Sequence, residues 1–372
     1  MKTTKTLVVM SLLALTTIFS ACNSGGLTPE LDTTNLWPAY FSALKKYGFI
    51  NKNGDLVIQP MYDAVSTFSC GYARAQVGDN VYFINKKGEL QQTTPVDFAD
   101  DFYYNYCLIN TDSKFGMMDK SLNIVVYPIY PDMGRMSAEG LVYVTLDGKS
   151  YGFIDKAGKT VIPSQFEEVN DFRDGVAVFR SGDKYGAINT KGSFAIMPMY
   201  DDLWSIGEKR LVMYDSNSRN CGMLTTSGDI KIQPSYKRIG TFFQNALAPF
   251  SMDGDNVGYI DPNGNMKIVP QYKTAYPFSG GYAVVYQGSS WMVINTKGEM
   301  QAYLPSEWGP AQQVFHNGLL LTTNGKEYRW IKPDGTVIFS WTDDATGLAP
   351  KRVPVQQNFR ERITDQIELG FK

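Results

Sequence analysis

Residues 257–290 read VGYIDPNGNMKIVPQYKTAYPFSGGYAVVYQGSS, and their order of signals returns along most of the 372-residue chain. Aromatic-Gly-apolar-Ile opens a strand at Tyr47-Gly48-Phe49-Ile50, Tyr151-Gly152-Phe153-Ile154 and Tyr185-Gly186-Ala187-Ile188, with Phe115-Gly116, Cys221-Gly222 and Val257-Gly258 as variants. Asn/Asp-x-x-Gly follows, from Asn51 to Gly54, Asp155 to Gly158, Asn189 to Gly192 and Asp261 to Gly264. Asp or Asn starts a type I turn by bonding the following backbone, and Gly supplies the left-handed residue that closes the hairpin. A second strand ends in apolar-x-Pro-x-aromatic, as in Ile58-Gln59-Pro60-Met61-Tyr62 and Ile268-Val269-Pro270-Gln271-Tyr272. Proline has no N–H to donate, so it marks an edge or a strand end. The last element is aromatic-x-x-Gly-x-Ala-x-apolar at Phe68–Ala75, Phe172–Phe179 and Phe278–Val285, read as a half-buried strand. Each module is thus expected to be a three-stranded antiparallel meander opened by the aromatic-Gly pair.

The period is about 35 residues, and nine units can be counted between residues 37 and 341. One unit cannot bury both its faces, so neighbours must stack and the array is stable only cooperatively. The fold class is therefore all-β, and the stack closes into a propeller-like ring or runs on as an open β-solenoid. Nine units exceed the ~4–8 blades of most propellers, whereas the lack of a distinct cap sequence favours closure. The propeller-like ring is the expected form. Modules near Tyr82, Trp291 and Tyr328 lack the motif Gly, and the third turn decays to Asp119-Lys120-Ser121-Leu122.

These motifs resemble the WG-repeat family, β repeats of this length named for an aromatic-Gly pair. The resemblance covers most of residues 46–341 and implies a repeat architecture found in bacterial envelope and surface proteins, with no agreed activity. The structural motif residues it marks here are Gly48, Gly54, Pro60, Gly116, Gly152, Gly158, Gly186, Gly192, Gly222, Gly258 and Gly264. Trp291 alone keeps the tryptophan of the naming pair, and Met292 follows it.

Lys2 and Lys5 precede an apolar run from Leu7 to Phe19, too short for the ~20 residues that cross a bilayer. Residues 1–21 read as a secretory signal peptide. Phe19-Ser20-Ala21-Cys22 resembles a bacterial lipobox, which implies that Cys22 is lipidated and becomes the first mature residue. Residues 22–36 then form a lipidated tether to a bacterial membrane of the cell envelope. The tail from 342 to 372 loses the repeat and carries an expected short helix from Gln356 to Leu369.

Lys and Arg total 35 against 37 Asp and Glu, with no long run of one sign, which argues against a nucleic-acid partner. Cys70, Cys107 and Cys221 match no zinc or disulfide framework and read as buried thiols. The single His316 reads as an exposed loop residue rather than a base. Glu167-Glu168 and Asp201-Asp202 fall at one repeat position and read as solvated turns, and Asp253-Gly254-Asp255-Asn256 as a hairpin. No motif assembles a nucleophile, base and oxyanion site, so neither an enzyme nor a cofactor or metal site is expected. The expected role is binding or scaffolding of an envelope protein or glycan through aromatic surface; the alternative is a carboxylate-dependent propeller enzyme acting on an envelope polymer.

Overall fold

The computed structural model describes residues 35–78, 80–91, 96–241 and 247–342. The signal segment, Cys22, the tether through residue 34 and the tail with its expected helix lie outside the described residues. All regular structure among the described residues is β, in nine antiparallel sheets arranged as a nine-bladed propeller. Eight blades have four strands and the first has three.

Blade 5 shows how the repeat maps onto a sheet, with strands Glu168–Val169, Val176–Ser181, Lys184–Asn189 and Phe194–Tyr200 in that order. The expected three-stranded module is corrected in two ways. A two-residue first strand is added, and the aromatic-Gly strand is the third of its blade rather than the first. The reason is chain reversal. Only Glu167 separates the preceding strand, Thr160–Phe166, from Glu168, and one residue cannot close an antiparallel hairpin. The chain therefore steps to the next blade there.

The Phe-x-x-Gly segment also differs from the expected strand. Asp174 and Gly175 have φ of 55° and 86°, and Arg173 N–H bonds to Val176 O at 2.8 Å. That is a two-residue hairpin turn with both central residues left-handed. The strand proper begins at Val176.

The Asn/Asp-x-x-Gly turns are as expected. Asp155 Oδ1 accepts the N–H of Ala157 at 2.9 Å and of Lys159 at 3.0 Å, and Gly158 has φ of 79°.

The glycine of the aromatic-Gly pair has a separate cause. Between Tyr151 and Phe153 the partner in the fourth strand jumps from Phe166 to Ile162, so the rim strand bulges over Gly152. A Cβ on Gly152 would lie 2.5 Å from Ile162 O, 2.7 Å from Ser164 N and 2.8 Å from Pro163 C, all backbone. The same backbone crossing covers Gly48, Gly116, Gly186, Gly222 and Gly258. Where the glycine is lost, the crossing is lost with it. Met292 pairs directly with Tyr303, and Arg329 with Ser340, and neither of those rim strands contains proline. In blades 8 and 9, which lack the motif glycine, the rim shifts register only further along, between Val293 and Ile294 and between Trp330 and Ile331. In the bulged blades Pro60, Pro128, Pro163, Pro198, Pro234 and Pro270 remove a donor from the exposed edge, which blunts strand-to-strand association.

The ring closes without exchanging a strand between blades 1 and 9. Trp37 of blade 1 donates its indole N–H to His316 O of blade 9, and Trp330 of blade 9 donates to Pro38 O of blade 1, both at 2.8 Å. Both indoles are buried in a cluster with Leu36, Phe49, Leu319, Leu321 and Trp341. Turn glycines face the preceding blade around the ring: Gly192 meets Ile162, Gly264 meets Ile232, and across the seam Gly54 meets Ile338. His316 is half-buried at this seam rather than exposed, and burial lowers its pKa.

A candidate functional site: the aromatic cleft at the crossover from blade 8 to blade 9

In six crossovers a single residue joins the rim strand to the next blade, as with Asp63, Pro131, Glu167, Asp201, Lys237 and Lys273. Between Met300–Tyr303 and Gly309–Pro310 there are five: Leu304, Pro305, Ser306, Glu307 and Trp308. Leu304 N–H bonds to Trp291 O at 2.9 Å, and Trp308 N–H returns to Pro305 O at 3.0 Å, which fixes the loop at both ends. Glu307 is held at φ of 75°, a conformation costing a non-glycine residue about 1–2 kcal/mol and frequent at functional sites.

The loop covers one side of a cleft of about 330 Å³, whose other side is the hairpin Tyr286–Trp291. Trp291 stacks parallel on Tyr276 with centroids 5.6 Å apart and tilts against Tyr286 at 5.1 Å. Its Nε1 lies 3.2 Å from where a Cβ on Gly309 would stand, so glycine there leaves the indole its place. Trp308 is buried with Leu304, Phe315 and Leu320, and the Arg329 guanidinium lies 3.8 Å over its ring. The floor is therefore rigid. Ser289, Ser290, Ser306, the Tyr286 hydroxyl, the Trp291 indole N–H and the Glu307 carboxylate line or border the cleft without a side-chain hydrogen bond to any described residue.

A second cleft of about 410 Å³ lies at the ring seam, lined by Tyr40, Phe41, Glu327, Phe339 and Trp341. Its rings are engaged with each other, Phe41 on Phe339 at 5.3 Å and Trp341 on Tyr328 at 5.6 Å, as parts of the closure.

The motif residues proposed from sequence are spread around the ring and form no shared site. Gly48, Gly116, Gly152, Gly186, Gly222 and Gly258 sit under rim bulges, Gly54, Gly158, Gly192 and Gly264 at turns, and Pro60 in a rim strand. Cys22 lies outside the described residues. One acid of each pair is tied up locally, Glu168 within blade 5 and Asp201 between blades 5 and 6. Glu168 accepts from Arg180 at 2.5 Å, while Asp201 accepts from Lys184 at 2.5 Å and from Ser216 N–H at 2.8 Å. Lys184 holds the Asp201 carboxyl well below the usual carboxylate range. Asp253 Oδ1 accepts the N–H of Asp255 at 2.8 Å, a hairpin within blade 7 rather than between modules. Among the described residues no His, Cys, Asp or Glu cluster could hold a metal ion. Cys107 and Cys221 are buried and Cys70 half-buried, all three free, and burial pushes the Cys221 thiol up to about 11.

Trp308, Ser306 and Glu307 were not found by motif reading. The signal was present as the lengthened spacing from Tyr303 to Gly309, where six other crossovers have one residue.

Among solved structures, the chain is similar to a eukaryotic initiation factor at 10% identity, covering 83% of this chain and 96% of that one, with a TM-score of 0.58. BamB from Moraxella catarrhalis aligns at 15% identity over 85% of this chain and 96% of that one, with a TM-score of 0.37. Hsv2 from Kluyveromyces lactis aligns at 10% identity over 66% and 96%, with a TM-score of 0.39. At 10% identity the likeness to the initiation factor shows the fold alone. No curated protein sequence matches the chain. The model of the WG containing repeat matches residues 47–80, 115–149, 151–185, 185–210, 222–254 and 258–291, more than half of the sequence. Each of these six segments carries one glycine under the rim backbone, Gly48, Gly116, Gly152, Gly186, Gly222 and Gly258, and by this repeat the chain belongs to the WG containing repeat family.

Proposed function

We propose that this propeller is a non-catalytic binding protein of the bacterial cell envelope, tethered through lipidated Cys22, which takes a protein or glycan of the envelope at the cleft between blades 8 and 9. One observation carries the reading. The crossover there is longer than the single residue that joins most neighbouring blades, and its extra residues gather two tryptophans and a set of polar side chains without a hydrogen bond to any described residue around one cleft. Rigid aromatics with free polar neighbours are what binding surfaces concentrate. Glu168 and Asp201, two of the acids a carboxylate enzyme could use, are held instead in ion pairs with Arg180 and Lys184.

The test uses the soluble chain beginning at residue 27, sedimented with washed envelope fractions. Wild type should co-sediment, and Trp291→Ala, tested at a temperature where circular dichroism shows it folded, should do so markedly less. Equal sedimentation of the two would refute the assignment of the cleft. Turnover of an envelope polymer that disappears on Asp202→Asn would refute the non-catalytic reading. For the tether, full-length Cys22→Ser expressed in a bacterial host should leave the membrane fraction.

A further inference from the structure

Resting on that reading, we infer that the ligand class of the cleft is a neutral sugar, held as one or two pyranose rings of a longer glycan. The chemistry of the lining selects it. No Lys or Arg is among the lining residues, and Arg329, over the Trp308 ring, is already paired with Glu327, so a phosphate, sulfate or uronate would meet no counter-charge from the lining and would face the Glu307 carboxylate. A cationic ligand is served by only one acid. What the cleft offers in number is hydroxyls, from Ser289, Ser290, Ser306 and Tyr286, which can each donate and accept. Sugar hydroxyls do the same, and a carboxylate accepts from two adjacent hydroxyls at once.

The aromatic part fits the same ligand. The C–H faces of a pyranose are apolar and flat enough to lie on an indole, and the Trp291 indole lines the cleft while Tyr276 backs it in parallel. Its Nε1–H has no partner among the described residues and can donate to a ring or hydroxyl oxygen. A volume of about 330 Å³ stands at the low end for small-ligand pockets, which limits the occupant to a short segment. A peptide anchor is less well served. It would drive an apolar side chain into a deep pocket, and the floor is closed by buried Trp308 beneath Arg329. Glu307 completes the assignment, since its left-handed backbone is maintained by the loop's two hydrogen bonds.

The experiment titrates the soluble chain from residue 27 with a panel of neutral tetrasaccharides of hexose and N-acetylhexosamine, with polygalacturonate and a phosphorylated glycan as charged controls. Binding is read by tryptophan fluorescence and by saturation-transfer NMR. At least one neutral tetrasaccharide should bind, the charged controls should not, and Trp291→Ala, read at a temperature where circular dichroism shows it folded, should weaken it by about tenfold or more. Glu307→Gln should weaken it several-fold, while Glu307→Asn, which tolerates the left-handed backbone, separates loss of the carboxylate from loss of loop geometry. No binding across the neutral panel, preference for a charged glycan, or equal affinity in Trp291→Ala would overturn the inference. If envelope co-sedimentation depends on Trp291 yet no neutral sugar competes for it, the sugar assignment fails and the binding reading stands. If co-sedimentation is indifferent to Trp291, both fail.

Discussion

Gly152→Ala is the perturbation that most directly tests how the repeat works. Its new Cβ would lie 2.5 Å from Ile162 O, 2.7 Å from Ser164 N and 2.8 Å from Pro163 C. Ordinary non-bonded contacts begin nearer 3.5 Å, so the rim strand would have to retreat by about 1 Å. It is not free to do so. Tyr151 pairs with Phe166 and Phe153 with Ile162 on either side of the bulge, and Ile162 and Phe166 are buried against Phe153 and Phe172. Overpacking of this kind costs about 1–3 kcal/mol, and each backbone hydrogen bond lost as the bulge flattens adds about 1 kcal/mol. Gly158→Ala is the contrast. There the nearest atom is Val126 Cγ2 at 3.5 Å, and the cost is the left-handed backbone alone, about 1–2 kcal/mol. The assay is urea unfolding of the chain from residue 27, with tryptophan fluorescence and circular dichroism compared because a nine-blade array need not unfold in one step. Gly152→Ala should lower the midpoint more than Gly158→Ala. A Gly152→Ala unfolding free energy within about 0.5 kcal/mol of wild type, or a midpoint above that of Gly158→Ala, would refute the claim that the rim bulge dictates the motif glycine.

Trp330→Phe keeps most of the buried ring but removes the hydrogen bond to Pro38 O, and should cost about 1–3 kcal/mol by leaving that carbonyl unpaired; a melting temperature equal to wild type would show that the seam does not need this bond. Gly158→Val should destabilise more than Asp155→Ala, because the valine must adopt φ of 79° whereas the alanine forfeits only two turn hydrogen bonds; the two melting curves decide it. Asp201 has a lowered folded pKa, so its contribution is full above its unfolded value of about 4 and is lost as pH falls through the folded value. The stability gap between wild type and Asp201→Asn should therefore shrink on acidification below about pH 4 in a pH series of melting temperatures, and a gap independent of pH would contradict the Lys184 pairing. His316→Ala should leave ligand binding unchanged, since Trp37 uses the backbone carbonyl of residue 316 and not the imidazole; envelope co-sedimentation reads it.

The sequence by itself determined the local grammar. Asn/Asp-x-x-Gly encodes a turn because the acceptor and the left-handed residue are both within it, and the structure places Gly54, Gly158, Gly192 and Gly264 at positive φ accordingly. Period and alternation likewise settled an all-β array of nine units. The grouping of strands into blades was not legible, because it depends on which neighbours a one-residue crossover such as Glu167 can reach, a property of space and not of motif order. Nor could the sequence say why Gly152 must be glycine, since the atoms that exclude a side chain belong to a strand ten residues onward and approach only through the bulge. Ring closure was decided entirely at long range, where Trp37 and Trp330, nearly the whole domain apart in the chain, exchange hydrogen bonds with each other's blade. The cleft belongs to the same class. Its residues come from a hairpin of blade 8 and a lengthened crossover into blade 9, and only the stacking of the two blades turns a spacing irregularity into a place where a ligand can lie.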